Sequence, residues 1–142
     1  MDVKTSKPNY ASLITKILIV LVISNIVGDV LAAVFFLRDP SLGELSVYGG
    51  LITSFAGKNG AVMITSAILL GYAVVYAVSV FGLLSKLKWA PPLVIAVSVV
   101  NRALALGVIF EPNVAWLIWS AWKLVIIALA LYLWQKNNSA TL

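Results

Sequence analysis

The stretch "WLIWSAWKLVIIALALYLW" (residues 116–134) is apolar at nearly every position, yet Lys123 stands near its middle. A run of roughly 20 apolar residues is what one α-helix needs to cross the hydrocarbon of a bilayer. A cation inside such a run needs company, because an isolated charge there costs about 2.5–3.5 kcal/mol. The rest of the chain has the same character. Of its 142 residues, 62% are hydrophobic and 11% charged, against about 25% charged in ordinary soluble domains. At a mean hydropathy of +1.05, a soluble fold of this length could not hide its apolar surface, so the solvent is lipid.

Working outward from that stretch, spans are expected at 13–37, 61–84, 90–110 and 114–134. The fold class they predict is all-α: a compact bundle of four transmembrane helices, one domain over residues 1–142, ending in a polar tail at 135–142. The first run is far longer than the apolar core of a cleavable signal, about 7–15 residues, and reads as a true span. The breaks carry punctuation. In "RDPSLGE" (38–44), Asp39 before Pro40 reads as an N-cap followed by proline at the first helical position. "KLKWAPPL" (86–93) ends one helix and opens the next, and "FEPN" (110–113) makes a tight hairpin. The centre of the longest connection, "LSVYGGLITSFA" (45–56), is too short to cross a bilayer. It reads as an interfacial helix over the outer mouth, in preference to a re-entrant segment.

Basic residues set the expected orientation. Lys4, Lys7, Lys16, Lys86, Lys88 and Lys136 fall on one side, and Arg38 and Lys58 on the other. The positive-inside rule then puts both termini in the cytoplasm, in the cytoplasmic membrane of a prokaryote. The net charge of +5 does not point to nucleic acid, because the lysines flank spans instead of forming a patch interleaved with aromatics. Cysteine and histidine are both absent. Thiolate nucleophiles, disulfides and the commonest metal and haem ligand go with them, so no cofactor and no metal is expected. There is no pair of acidic residues in one span, no glycine-rich phosphate cradle and no nucleophile elbow. No residue stands out as catalytic, and an enzyme is the least supported class.

Three ionisable residues remain inside the spans: Asp29, Arg102 and Lys123. Each lies roughly 8 to 11 residues from the outer end of its run, about 12–16 Å deep, and Tyr72 falls at the same depth. Helical spacing gives each a polar face. Asn25 and Asp29 share one face of the first helix, and Thr65, Tyr72, Tyr76 and Ser79 one face of the second. Ser98, Asn101 and Arg102 group on the third helix; Trp119 and Ser120 precede Lys123 by about one turn on the fourth. The small residues Ser24, Gly28 and Ala32, then Ala67 with Gly71, and Ala103 with Gly107, are expected to let helices approach closely. A buried polar layer of Asn25, Asp29, Tyr72, Asn101, Arg102, Trp119 and Lys123 is the candidate binding region.

One carboxylate against two cations leaves that layer at +1 when all three are ionised. An Asp29–Arg102 ion pair is expected, which could serve only to fix helix register. The surplus on Lys123 has four possible answers: a neutral amine, the face of Trp119 or Trp116, a bound anion, or a carboxylate from another subunit. Of the five tryptophans, Trp89, Trp116 and Trp134 sit where an interfacial belt belongs. Trp119 and Trp122 lie deeper and on different faces, so at least one points to lipid or a partner.

The spacing Asn25-x-x-x-Asp29 on the first of four short helices resembles the small multidrug-resistance transporters. In that family a single acidic residue on the first helix binds protons and cationic substrates. Here Asp replaces the family's Glu, and two cations in the layer would repel a cationic substrate; the resemblance covers one helix. "GLLSKLKWA" (82–90) is similar to the central loop of small four-helix membrane families. The reading placed first is a non-catalytic subunit of a larger membrane assembly, in contact with lipid and with other subunits or further copies of itself. A small carrier using Asp29 with Arg102 and Lys123, for an anionic substrate, is second.

Overall fold

The computed structural model describes residues 10–39, 49–106 and 114–139. All of it is helical apart from short connections: α1 (Tyr10–Arg38), α2 (Gly49–Leu84), α3 (Ala90–Leu106) and α4 (Val114–Ser139). Three segments, Tyr10–Arg38, Asn59–Leu84 and Leu117–Ser139, are long and apolar enough to cross a membrane, and Ala90–Ala103 of α3 is a shorter apolar helix. The expected N-cap at Asp39–Pro40 runs into residues outside the described ones. So do the hairpin at 110–113, the loop residues 45–48, and Gly107.

Each helix packs on its neighbours in the chain, and α1 also packs on α4. The result is a closed ring of four in chain order. Leu18, Val22, Tyr76, Val94, Ile126 and Leu133 meet inside it. The outward faces carry large apolar side chains such as Met63, Val74, Phe81, Ile118 and Leu124. Acyl chains are as apolar as leucine, so these faces lose nothing by staying exposed in a bilayer.

Two backbone features shape the ends of α2. At Gly57 the backbone leaves helical geometry, with φ 68° and ψ 175°. Glycine adopts positive φ without steric cost, so the chain can turn there between a helical segment at 49–56 and the long apolar helix beyond. The apolar centre of the first long connection is therefore helical over 49–56. At the other end, Leu87 N–H donates to Gly82 O at 2.8 Å and Lys86 N–H to Leu83 O at 3.2 Å. This pair of bonds is the Schellman closure of a helix C-terminus. Its left-handed position is held by Lys86, at φ 55°, where a residue other than glycine costs about 1–2 kcal/mol.

The turn into α3 is tight. A Cβ on Gly82 would come within 2.8 Å of both Ala90 Cβ and the Trp89 ring, so only glycine lets the two helices meet there. Pro91 and Pro92 follow in the first turn of α3, where their missing N–H groups have no helical acceptor anyway. At Gly28 an added Cβ would lie 3.3 Å from the Trp119 ring, so this glycine seats an indole between α1 and α4. Gly71 differs from the expected close approach: nothing lies within 4 Å of its Cβ position, and Ala67 and Gly71 both face outward. Helical spacing put them on a shared stripe, but the core-facing side of α2 is taken by Leu69, Tyr72, Ala73 and Tyr76.

Candidate functional site

The polar faces of the helices bring a connected set of side chains into the middle of the ring. Lys123 of α4 is 2% exposed. Its Nζ donates to Tyr76 Oη of α2 at 2.9 Å and stands 4.6 Å from the centre of the same ring. One tyrosine thus gives the ammonium both an acceptor and a π-face. Tyr76 Oη is also 2.9 Å from Ser98 Oγ of α3. An ammonium can only donate, so the phenol accepts from Lys123 and shares a second hydrogen bond with Ser98 in which either hydroxyl can donate. Tyr76 and Ser98 are fully buried, and the chain Lys123–Tyr76–Ser98 ties three helices at one level.

A turn away, Arg102 finds its partners among neutral groups. Nη2 and Nε donate to Asn101 Oδ1 at 3.1 and 3.4 Å, and Nη1 donates to Ser120 Oγ of α4 at 3.3 Å. The guanidinium and the ammonium are therefore both hydrogen-bonded within the fold.

One oxygen of the Asp29 carboxylate is not. Among the described residues no lysine or arginine nitrogen lies within 4.0 Å of a carboxylate oxygen, so the expected Asp29–Arg102 ion pair is not formed. Arg102 is held back on α3 and α4 by Asn101 and Ser120. Asp29 still interacts through space with Lys123 and, less strongly, with Arg102. Asp29 Oδ2 is buried with no hydrogen-bond partner, as are both polar atoms of the Asn25 side chain, one turn along α1. Thr65 Oγ1 is buried and unpartnered as well. Buried polar groups left unpaired cost about 1–3 kcal/mol each, so the cost gathers on the α1 side of the centre.

Of the residues singled out from the sequence, Asn25, Tyr72, Asn101 and Lys123 are buried, and Asp29 and Arg102 partly so. Trp119 is 49% exposed, with its ring edge on Gly28. Trp122 also faces outward, as do Trp89 and Trp134; the Trp116 side chain lies outside the described ones. Among the described residues the cation thus lies over a tyrosine. Tyr76 and Ser98 are the residues that sequence reasoning left out of the layer, although both stand on the faces it identified. The signal available was the i, i+4 spacing of Tyr72 and Tyr76.

No family model matches the chain, and no curated protein and no solved structure matches it.

Proposed function

We propose that this chain is a four-span membrane protein with both termini on the cytoplasmic side, and that its polar centre binds a small polar, anionic solute as part of a small carrier. The four-span reading is supported by the ring of helix contacts, which includes α3. The 17 residues of that helix reach about 25 Å, at the short end of what a span needs. The orientation is supported by the lysine count on the side of the α2–α3 turn.

One observation carries the binding reading. The two cations of the centre already have neutral partners, while Asp29 Oδ2 and the Asn25 amide, buried beside them, have none. A centre of one carboxylate and two cations sums to +1, so an anion completes its charge, and it arrives together with a proton on Asp29, whose unpartnered oxygen would otherwise repel it. Tyr76 solvates the ammonium without cancelling its charge, so the same +1 would also accept a neighbour's carboxylate.

The test is reconstitution into liposomes, with uptake of small labelled anions (acetate, phosphate, chloride) and proton movement followed together. Uptake by the natural chain that disappears in Asp29→Asn, with the variant still folded, supports the carrier. Equal flux in both, or none above empty liposomes for any solute tried, removes it. A second reading, a non-catalytic subunit of a larger assembly or a homo-oligomer, draws on that charge and on one further feature: both deep tryptophans, Trp119 and Trp122, face away from the ring. Sizing after gentle detergent extraction separates the two, because a lone 15.2 kDa chain contradicts the subunit reading.

A further inference from the structure

Away from the polar centre, the end of the molecule at the α2–α3 turn holds a half-open groove of about 420 Å³. It runs between α1 and α4 and is floored by the turn. Ile19, Leu84 and Leu133 line it with Lys16 and Lys86, and Ser12, Thr15 and Asn137 add neutral polar groups. Among the described residues no acidic side chain lines it. Neither lysine has a carboxylate oxygen within 4.0 Å among the described residues, so the cationic rim is not neutralised by the fold.

A second, independent feature concerns Lys86. It occupies the left-handed position of the helix-ending turn, at φ 55°, where glycine is the usual residue. A lysine kept in a strained conformation at the lip of a groove points to a use for its ammonium. The groove also lies at the level of Trp89 and Trp134, the aromatic residues that mark where hydrocarbon gives way to headgroups.

We infer that this groove seats an anionic phospholipid, with the phosphate between Lys16 and Lys86 and the start of an acyl chain along Ile19, Leu84 and Leu133. The chemistry is complementary on both counts: cations and neutral donors for the phosphate, and the apolar side chains of Ile19, Leu84 and Leu133 for the chain. Basic pockets between spans at a membrane face are known seats for such headgroups. The inference stands apart from the solute-binding reading of the polar centre, since the two sites share no residue.

The experiment uses the full chain in detergent with equal amounts of phosphatidylglycerol and phosphatidylcholine, counting retained lipids by native mass spectrometry. The anionic lipid is expected to be retained preferentially, and Lys16→Gln or Lys86→Gln to lower that preference about fivefold each. Lys86→Gly should lower it equally while relieving the backbone, which separates the charge from the turn geometry. Lys136→Gln, outside the groove, should leave it unchanged. Equal retention of the two lipids by the natural chain overturns the proposal, as does an undiminished preference in Lys16→Gln and Lys86→Gly. Displacement of the lipid by millimolar inorganic phosphate also overturns it, because the groove would then be a site for the free anion.

Discussion

The ring of helices has two regions built on opposite terms. Towards the α2–α3 turn, Leu18, Leu83, Val94, Ala130 and Leu133 fill the interior with apolar atoms, and Gly82 lets α2 and α3 close against each other without a gap. In the middle, the interior is occupied by Asn25, Tyr76, Ser98, Asn101 and Lys123, all nearly inaccessible. In lipid the contrast matters more than it would in water. Apolar side chains gain little by leaving acyl chains for the core, so the first region is held by close packing. The second is held by hydrogen bonds that have no competitor in hydrocarbon. The middle of the molecule is thus where specific partners decide the structure, and it is also where the partners run short.

The largest effect that can break this comparison is expected at Tyr76. Removing only its hydroxyl, Tyr76→Phe, leaves the Lys123 ammonium with a ring but no acceptor and takes the partner from Ser98. Loss of a hydrogen bond to a buried charge should destabilise by about 3 kcal/mol, measured as the midpoint of unfolding by SDS in mixed micelles. Combining it with Lys123→Met should restore most of the loss, because the stranded charge goes too. A loss below about 0.5 kcal/mol in Tyr76→Phe would mean that the centre is not held this way.

That residue also shows how far the sequence could be read. The apolar runs give the helices, and 3.6-residue spacing gives their polar faces, because both are local properties of the chain. Depth across helices is not local. Counting residues from the outer ends brought Tyr72 level with Lys123, whereas the ammonium meets Tyr76, one turn further along α2. One turn is about 5.4 Å, within the reach of a lysine side chain, so depth alone does not choose the hydrogen-bond partner. The missing Asp29–Arg102 pair has the same origin. Opposite charges at similar depth suggested contact, but Asn101 and Ser120 hold the guanidinium elsewhere, and only assembled helices reveal that competition. The outward face of Ala67 and Gly71 makes the point for packing: small residues permit close approach without saying which face is approached.

The next effect tests the packed region. Gly82→Ala puts a Cβ within 2.8 Å of Ala90 Cβ and the Trp89 ring. The indole is partly exposed and can swing, but Ala90 belongs to the backbone start of α3 and cannot. A cost of about 2 kcal/mol is expected from such overpacking, read in the same unfolding measurement. Retention of full stability would show that the turn is looser than its geometry.

A smaller change of opposite sign is expected at Asn25. Both polar atoms of its side chain are buried without partners, so Asn25→Leu should stabilise by about 1 kcal/mol once the unpaired amide is gone. In the carrier reading the same variant loses solute uptake. Stability and activity then move apart, as they do when a polar group is kept for binding. A variant that is both less stable and fully active would place the amide in an ordinary structural role and move the solute site elsewhere.

The smallest effect belongs to the outward side of α2. Gly71 has open space where a Cβ would go, and it sits in the middle of a long helix, where glycine is worse than alanine by roughly 0.5–1 kcal/mol. Gly71→Ala should therefore raise the unfolding midpoint slightly, the reverse of Gly82→Ala. The pair sharpens the comparison because the chemistry of the two substitutions is identical and only the neighbours differ. If Gly71→Ala instead destabilised in the bilayer while stabilising in dilute detergent micelles, the open face would be a contact with another copy of the chain. The small residues Ala67 and Gly71 would then serve the close approach their spacing suggested, between molecules and not within one.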